Sequence, residues 1–399
     1  MNLNFQHLLS DAARAKVMQA FSSGERAGAQ PSPASLERLS EATRLTQAGD
    51  LMAATAAIQA ALRGDAAASY PGATAFSQDL AADVIDIEAH EVASSLTSPT
   101  REDERSSQPA SGKPGPGDGQ ADQFISGSHT EAAGTRAYKL YVPIRRTDEA
   151  LPLVVMLHGC TQNPDDFALG TGMNEAARER GFYVLYPAQN QHANSSRCWN
   201  WFKHNHQKRG KGEPALLAGM TQEIMRMHHI DPARVYVAGL SAGGAMAAIL
   251  GDTYPEIFAA VGVHSGLASG SAKDVQSAFS AMKTGAVQAP RATASPPTIV
   301  FHGDQDGTVS AVNGEQVVAA SAAGARAEAT RHQRNGRACT QKIYRRNDGQ
   351  IVAEHWAVHG AGHAWSGGSA AGSYTDAQGP DATFEMLRFF FANPMPVGQ

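Results

Sequence analysis

Val235-Tyr236-Val237-Ala238-Gly239-Leu240-Ser241-Ala242-Gly243-Gly244-Ala245-Met246 is the stretch that decides how this chain folds. Val235–Ala238 is a short apolar run, as expected of a buried strand. A serine between two glycines follows it, and then small residues that continue as a helix from Ala242 to Leu250. A turn from strand to helix this tight strains the serine backbone and lifts its hydroxyl out at the carboxyl end of the sheet. The hydroxyl then stands over a helix N-terminus, whose partial positive charge favours a developing oxyanion. Gly-x-Ser-x-Gly also arises by chance in a chain rich in Gly and Ala. The strand before Ser241 and the helix after it favour a nucleophile.

The same alternation runs outward on both sides. Leu153–Leu157, Tyr183–Tyr186, Ala260–His264 and Thr298–His302 are short apolar runs of the kind buried on both faces of a sheet. Met173–Arg180, Ala215–His228 and Val312–Ala322 read as helices between them, and Asp381–Phe391 as a last apolar helix. Strands alternating with helices predict an α/β fold, a mainly parallel sheet with helices on both faces.

A serine needs a general base, and the base needs a third group to orient it. Where an elbow carries the serine, these partners follow in the order acid, then histidine. Phe301-His302-Gly303-Asp304-Gln305-Asp306-Gly307 leaves the strand Thr298–His302 and offers two carboxylates, Asp304 and Asp306. His363 lies among glycines in Gly360-Ala361-Gly362-His363-Ala364-Trp365, after the strand candidate Glu354–Val358. His332, His355 and His359 compete with it on order alone. His332 reads as part of a solvated, charged segment, and His355 and His359 fall within or at the end of the strand. Leu157-His158-Gly159-Cys160-Thr161-Gln162 leaves the strand Leu153–Leu157. Its Cys160 N–H, with that of Ala242, is the expected oxyanion hole. His158 reads as a brace for that loop.

Five pieces in order carry a family resemblance. They are Leu157–Gln162, Cys198-Trp199-Asn200-Trp201-Phe202, Gly239–Met246, His302-Gly303-Asp304-Gln305-Asp306-Gly307-Thr308-Val309 and Gly362-His363-Ala364-Trp365. Over residues 123–392 the chain resembles the short-chain-length polyhydroxyalkanoate depolymerases, with feruloyl and acetylxylan esterases as relatives. The resemblance implies an α/β-hydrolase fold and a serine esterase of polyhydroxybutyrate or 3-hydroxyalkanoate oligomers. It selects Asp306 as the acid, because Val309 stands three residues on, and His363 as the base. It implies a Cys160–Cys198 disulfide, which leaves Cys339 single. It makes Trp199, Trp201 and Trp365 candidate lining of an ester cleft. Ser366 stands where the family more often has proline. A carbohydrate-type feruloyl or acetylxylan esterase is the alternative, and an inactive granule-associated binding protein is the alternative of another class.

Composition bounds the rest. With 399 residues, 42% apolar, and 33 basic against 38 acidic side chains, the chain is a globular protein with no electrostatic case for nucleic acid. Residues 1–95 read as helical, with Leu36, Leu39, Ala42 and Leu45 on one helix face. Residues 96–122 read as a flexible linker around Lys113-Pro114-Gly115-Pro116-Gly117, and 123–399 as the catalytic domain. No metal or other cofactor is called for: His204 and His206 lack a third ligand at useful spacing. No apolar run is long enough to span a membrane. Asp11, Arg14 and Lys16 interrupt the start of the chain, unlike a secretory signal. The expected setting is therefore cytoplasmic or granule-associated, with storage granules as a partner. Secretion is the alternative, which a cysteine pair favours.

Overall fold

A computed structural model describes residues 121–145, 147–286 and 295–396. The region 1–95 expected to be helical and the expected linker, save residues 121 and 122, lie outside the described residues.

Ten strands form one sheet in the order β1 (Gln123–Glu131), β2 (Gly134–Val142), β4 (Tyr183–Pro187), β3 (Leu151–Leu157), β5 (Ile230–Leu240), β6 (Ala260–His264), β7 (Thr298–Gly303), β10 (Ile351–Val358), β9 (Arg337–Arg345) and β8 (Arg326–Arg334). The run from β4 to β10 is parallel throughout, and hairpins flank it at both ends. Along β3 the side chains alternate between two cores. Leu153, Val155 and Leu157 join one, and Val154 and Met156 the other. That is why the strand is apolar at every position: no face of it meets water.

The first core is covered by α3 (Gly212–Met227), α4 (Ala242–Thr253), α5 (Val275–Thr284) and α6 (Val312–Ser321). The second is covered by α1 (Pro164–Thr171), α2 (Met173–Arg180) and α7 (Ala382–Phe391). Helices thus pack on both faces of the sheet, as the alternation predicts.

Helices α1 and α5 and the hairpins β1–β2 and β8–β9 were not legible in the apolar pattern. Helix α1 is capped by Asn163, whose side chain accepts from the Asp166 N–H. Helix α5 opens on a capping box between Asp274 and Ser277. The β8–β9 hairpin turns at Asn335-Gly336, both at positive φ, which is the favoured two-residue turn. Its outer strand is polar because it is the exposed edge of the sheet.

Candidate active site

Ser241 sits at the end of β5 with φ 58° and ψ −118°, a strained conformation for a residue with a side chain. It occupies the N-cap position of α4, yet its hydroxyl makes no capping bond. The turn depends on two glycines. A β-carbon at Gly243 would overlap the Leu157 carbonyl oxygen, and one at Gly239 would overlap the Gly243 backbone. β3, β5 and α4 therefore meet more closely than any side chain would allow.

The loop after β7 carries both candidate acids, and the loop after β10 carries their histidines. Asp306 Oδ2 accepts a 2.7 Å hydrogen bond from His363 Nδ1. Its Oδ1 accepts from the Thr308 and Val309 N–H groups at 2.9 and 2.8 Å. With Nδ1 donating, Nε2 is the free acceptor of the neutral His363 ring. Burial alone would raise the Asp306 carboxyl. Bonds from His302, His363 and the Val309 N–H outweigh it and hold the group well below the usual carboxylate range.

Asp304 is engaged elsewhere. It accepts from His359 Nδ1 at 2.8 Å and from the Gly360 N–H at 2.7 Å, on a more exposed surface. The structure therefore brings Asp306, not Asp304, to His363. The competing histidines are also occupied: His359 Nε2 meets Thr340 Oγ1, and His332 stacks on Trp356. His355 is buried in β10.

The loop after β3 is braced as the sequence suggests. His158 Nδ1 donates to the Gly159 carbonyl at 2.8 Å, and its Nε2 accepts from the Gln189 N–H at 3.1 Å. The Gly159 N–H donates to Gln162 Oε1. A β-carbon at Gly159 would lie 3.7 Å from the Ser241 Cβ, so this loop passes beside the serine. Ala242, as the first residue of α4, has an N–H with no intrahelical partner. A Cys160–Cys198 disulfide and a Thr161 N–H bond to the Ser196 carbonyl tether the loop to its neighbour. Cys339 is a buried free thiol.

Closing a loop of this span constrains the unfolded chain by up to about 4 kcal/mol. Cys198→Ser should therefore lower the denaturation midpoint. It should also lower kcat more than it raises KM, because the loosened group is Cys160. A kcat equal to wild type would separate the disulfide from the site.

The tryptophans do not line a cleft. Trp199, Trp201 and Trp365 are 0%, 6% and 1% exposed. Two of their indole N–H groups are satisfied internally: Trp199 donates to the His158 carbonyl and Trp365 to Thr383 Oγ1. They are core residues that hold the loops, because a ring this large gains most when fully covered.

Two supports escaped the sequence reading. His264, at the end of β6, accepts the Ser241 N–H on its carbonyl at 2.8 Å and the Ser366 N–H on Nε2 at 2.9 Å. Its ring stacks on Trp365 and Phe301. It thus ties the serine turn to the loop of His363. A proline at 366 has no N–H and would lose that bond. Glu213, 2% exposed, accepts from Gln189 Nε2, Asn200 Nδ2 and the Asn200 N–H, anchoring the Cys198–Phe202 segment. A carboxylate at the start of an amphipathic helix gives no sequence sign of such burial.

Burial pushes His158 down to about 4, and His264 and His355 down to about 3. These rings stay neutral in the fold where the unfolded chain, near 6.5, takes up protons. Their stabilising contribution is therefore full above about pH 6.5 and is lost as pH falls toward 4. The thermal midpoint should drop between pH 7 and 4, with proton uptake on unfolding by calorimetry. A midpoint independent of pH over that range contradicts this.

The sheet order, the strained serine and the acid–histidine pair on successive strand-end loops define an α/β-hydrolase. Acetyl xylan esterase from Aspergillus awamori has a similar fold, with a TM-score of 0.51 at 20% identity, covering 67% of this chain and 99% of that one. The sequence profile described as "Esterase PHB depolymerase" matches residues 136–339, and the chain belongs to that family. It is 36% identical over 180 residues to poly(3-hydroxyalkanoate) depolymerase C of Paucimonas lemoignei, covering 42% of this chain and 43% of that protein. It is 34% identical over 140 residues to feruloyl esterase B of Thermothelomyces thermophilus, covering 35% of this chain and 47% of that protein. The matches thus span less than half the length of these relatives.

Proposed function

We propose that this chain is a serine esterase that cleaves 3-hydroxyalkanoate esters, polymer or soluble oligomer, through an acyl-enzyme. The Asp306–His363 hydrogen bond, on the sheet edge that carries Ser241, is the observation that carries this reading. The Ser241 hydroxyl attacks the ester carbonyl while His363 Nε2 takes its proton. The Cys160 and Ala242 N–H groups hold the oxyanion. The tetrahedral adduct collapses, the alcohol leaves with the proton from His363, and the acyl group stays on Ser241. Water, deprotonated by His363, attacks that ester and releases the acid. Asp306 keeps the imidazole tautomer and steadies its positive charge.

Family membership and the depolymerase relative support the polyester substrate. The feruloyl esterase relative supports a second reading, an ester of plant polysaccharide. Comparing rates on amorphous polyhydroxybutyrate granules, soluble hydroxybutyrate oligomers and feruloyl esters decides between them. Faster turnover of the feruloyl ester would reverse our preference. The inactive granule-binding reading has against it an intact serine, acid and base. A fluorophosphonate probe that leaves Ser241 unlabelled would revive it.

The disulfide beside the oxyanion loop favours an oxidising compartment over the cytoplasmic one. Among the described residues no helix is long and apolar enough to cross a membrane. We also assign catalysis to residues 123–399. A chain lacking residues 1–120 should hydrolyse soluble esters at the full-length rate, and a collapse of that activity would place the N-terminal region within the catalytic unit.

A further inference from the structure

With Trp199, Trp201 and Trp365 buried in the core, none of them offers an exposed ring at the site. Tyr374 is 41% exposed and is bonded to both loops that frame the site. Its carbonyl accepts the Trp365 N–H at 2.7 Å, two residues beyond His363. Its hydroxyl lies 3.1 Å from Thr161 Oγ1, next to Cys160. Thr161 already donates to the Cys160 carbonyl at 2.6 Å, so Tyr374 is the donor in their bond. The phenol therefore bridges the loop of the base and the loop of the oxyanion donors.

Tyr374 also has φ 53°, a left-handed conformation that a bulky side chain rarely adopts. Tyr374 is not the segment's sole anchor. The preceding Ser373 already fixes the segment. Its N–H and hydroxyl donate to Asp166 at 2.8 and 2.6 Å, and its carbonyl accepts from Gln162 Nε2 at 3.1 Å. Glycine or asparagine at 374 would suit that backbone better. A strained residue that presents a partly exposed ring between two site loops points to a contact with a ligand.

We infer that Tyr374 is a substrate-contacting specificity residue whose ring packs on the apolar chain of an ester that extends beyond the scissile group. The hydroxyl bond to Thr161 fixes the ring in advance, so little freedom is lost on binding. This rests on the esterase reading above.

The test uses the full chain with a soluble linear trimer of 3-hydroxybutyrate, methyl ferulate and 4-nitrophenyl acetate. Tyr374→Gly and Tyr374→Asn remove the ring at no backbone cost. Both should raise KM for the trimer about tenfold, and at least five times more than for the acetate, with the loss in KM rather than kcat. Tyr374→Phe, which keeps the ring, should fall nearer wild type on the trimer than either. Two results overturn the inference: an unaltered trimer KM, or an equal fall in kcat on all esters, which marks a mere strap. If the wild-type chain turns over methyl ferulate and not the trimer, the polyester reading fails. Tyr374 is then judged by the same KM comparison on the ferulate.

Discussion

Ser241→Ala should abolish ester hydrolysis, lowering kcat by about 10⁴- to 10⁶-fold. Alanine keeps the β-carbon and so inherits the same positive-φ backbone. The bond from the residue 241 N–H to the His264 carbonyl survives, because it belongs to the main chain. The lost hydroxyl caps nothing. Unfolding free energy should therefore stay within about 1 kcal/mol of wild type. Stopped chemistry in a protein of unchanged stability separates a nucleophile from a structural serine. Mass spectrometry of the fluorophosphonate-treated protein gives a second readout, an adduct on the wild type and none on the variant. Retention of more than about a hundredth of the activity would mean that another residue attacks the ester.

What the sequence made legible follows from where physics leaves a period or a spacing. Strands buried on both faces are apolar along their middle, so Leu153–Leu157 and Ile299–Phe301 stand out, and the sheet edge that carries the site follows from them. The serine turn is legible because its two glycines are forced by backbone overlap rather than by preference. The edge hairpin is less so: β8 faces water, and only its Asn335-Gly336 turn signals a strand pair. Side-chain roles set by burial were the least legible. A tryptophan near a motif looks the same whether it faces a ligand or the core. Only the neighbours of Trp199 and Trp365, supplied by distant segments, decide it. His264 and Tyr374 act through backbone carbonyls and through partners far along the chain, which no local pattern encodes.

The choice between two aspartates two residues apart yields the second large effect. Asp306→Asn should lower kcat about 10⁴-fold, and Asp304→Asn about tenfold or less. In the first variant the amide oxygen goes on accepting the Thr308 and Val309 N–H groups, which turns the NH2 group toward His363. The imidazole must then accept on Nδ1 and carry its proton on Nε2, where it can no longer take one from Ser241. In the second variant the loss falls on the bond to His359 and on the turn at Gly360, and His363 keeps its acid. Stability adds an independent readout. The Asp306 carboxyl is held well below its unfolded value near 3.9, so its contribution is full above about pH 4 and erodes as pH falls further. The stability gap between wild type and Asp306→Asn should therefore be widest near neutral pH and narrow below pH 4 in urea titrations. Equal kinetic losses in the two variants, or a gap that widens in acid, would transfer the role of the acid away from Asp306.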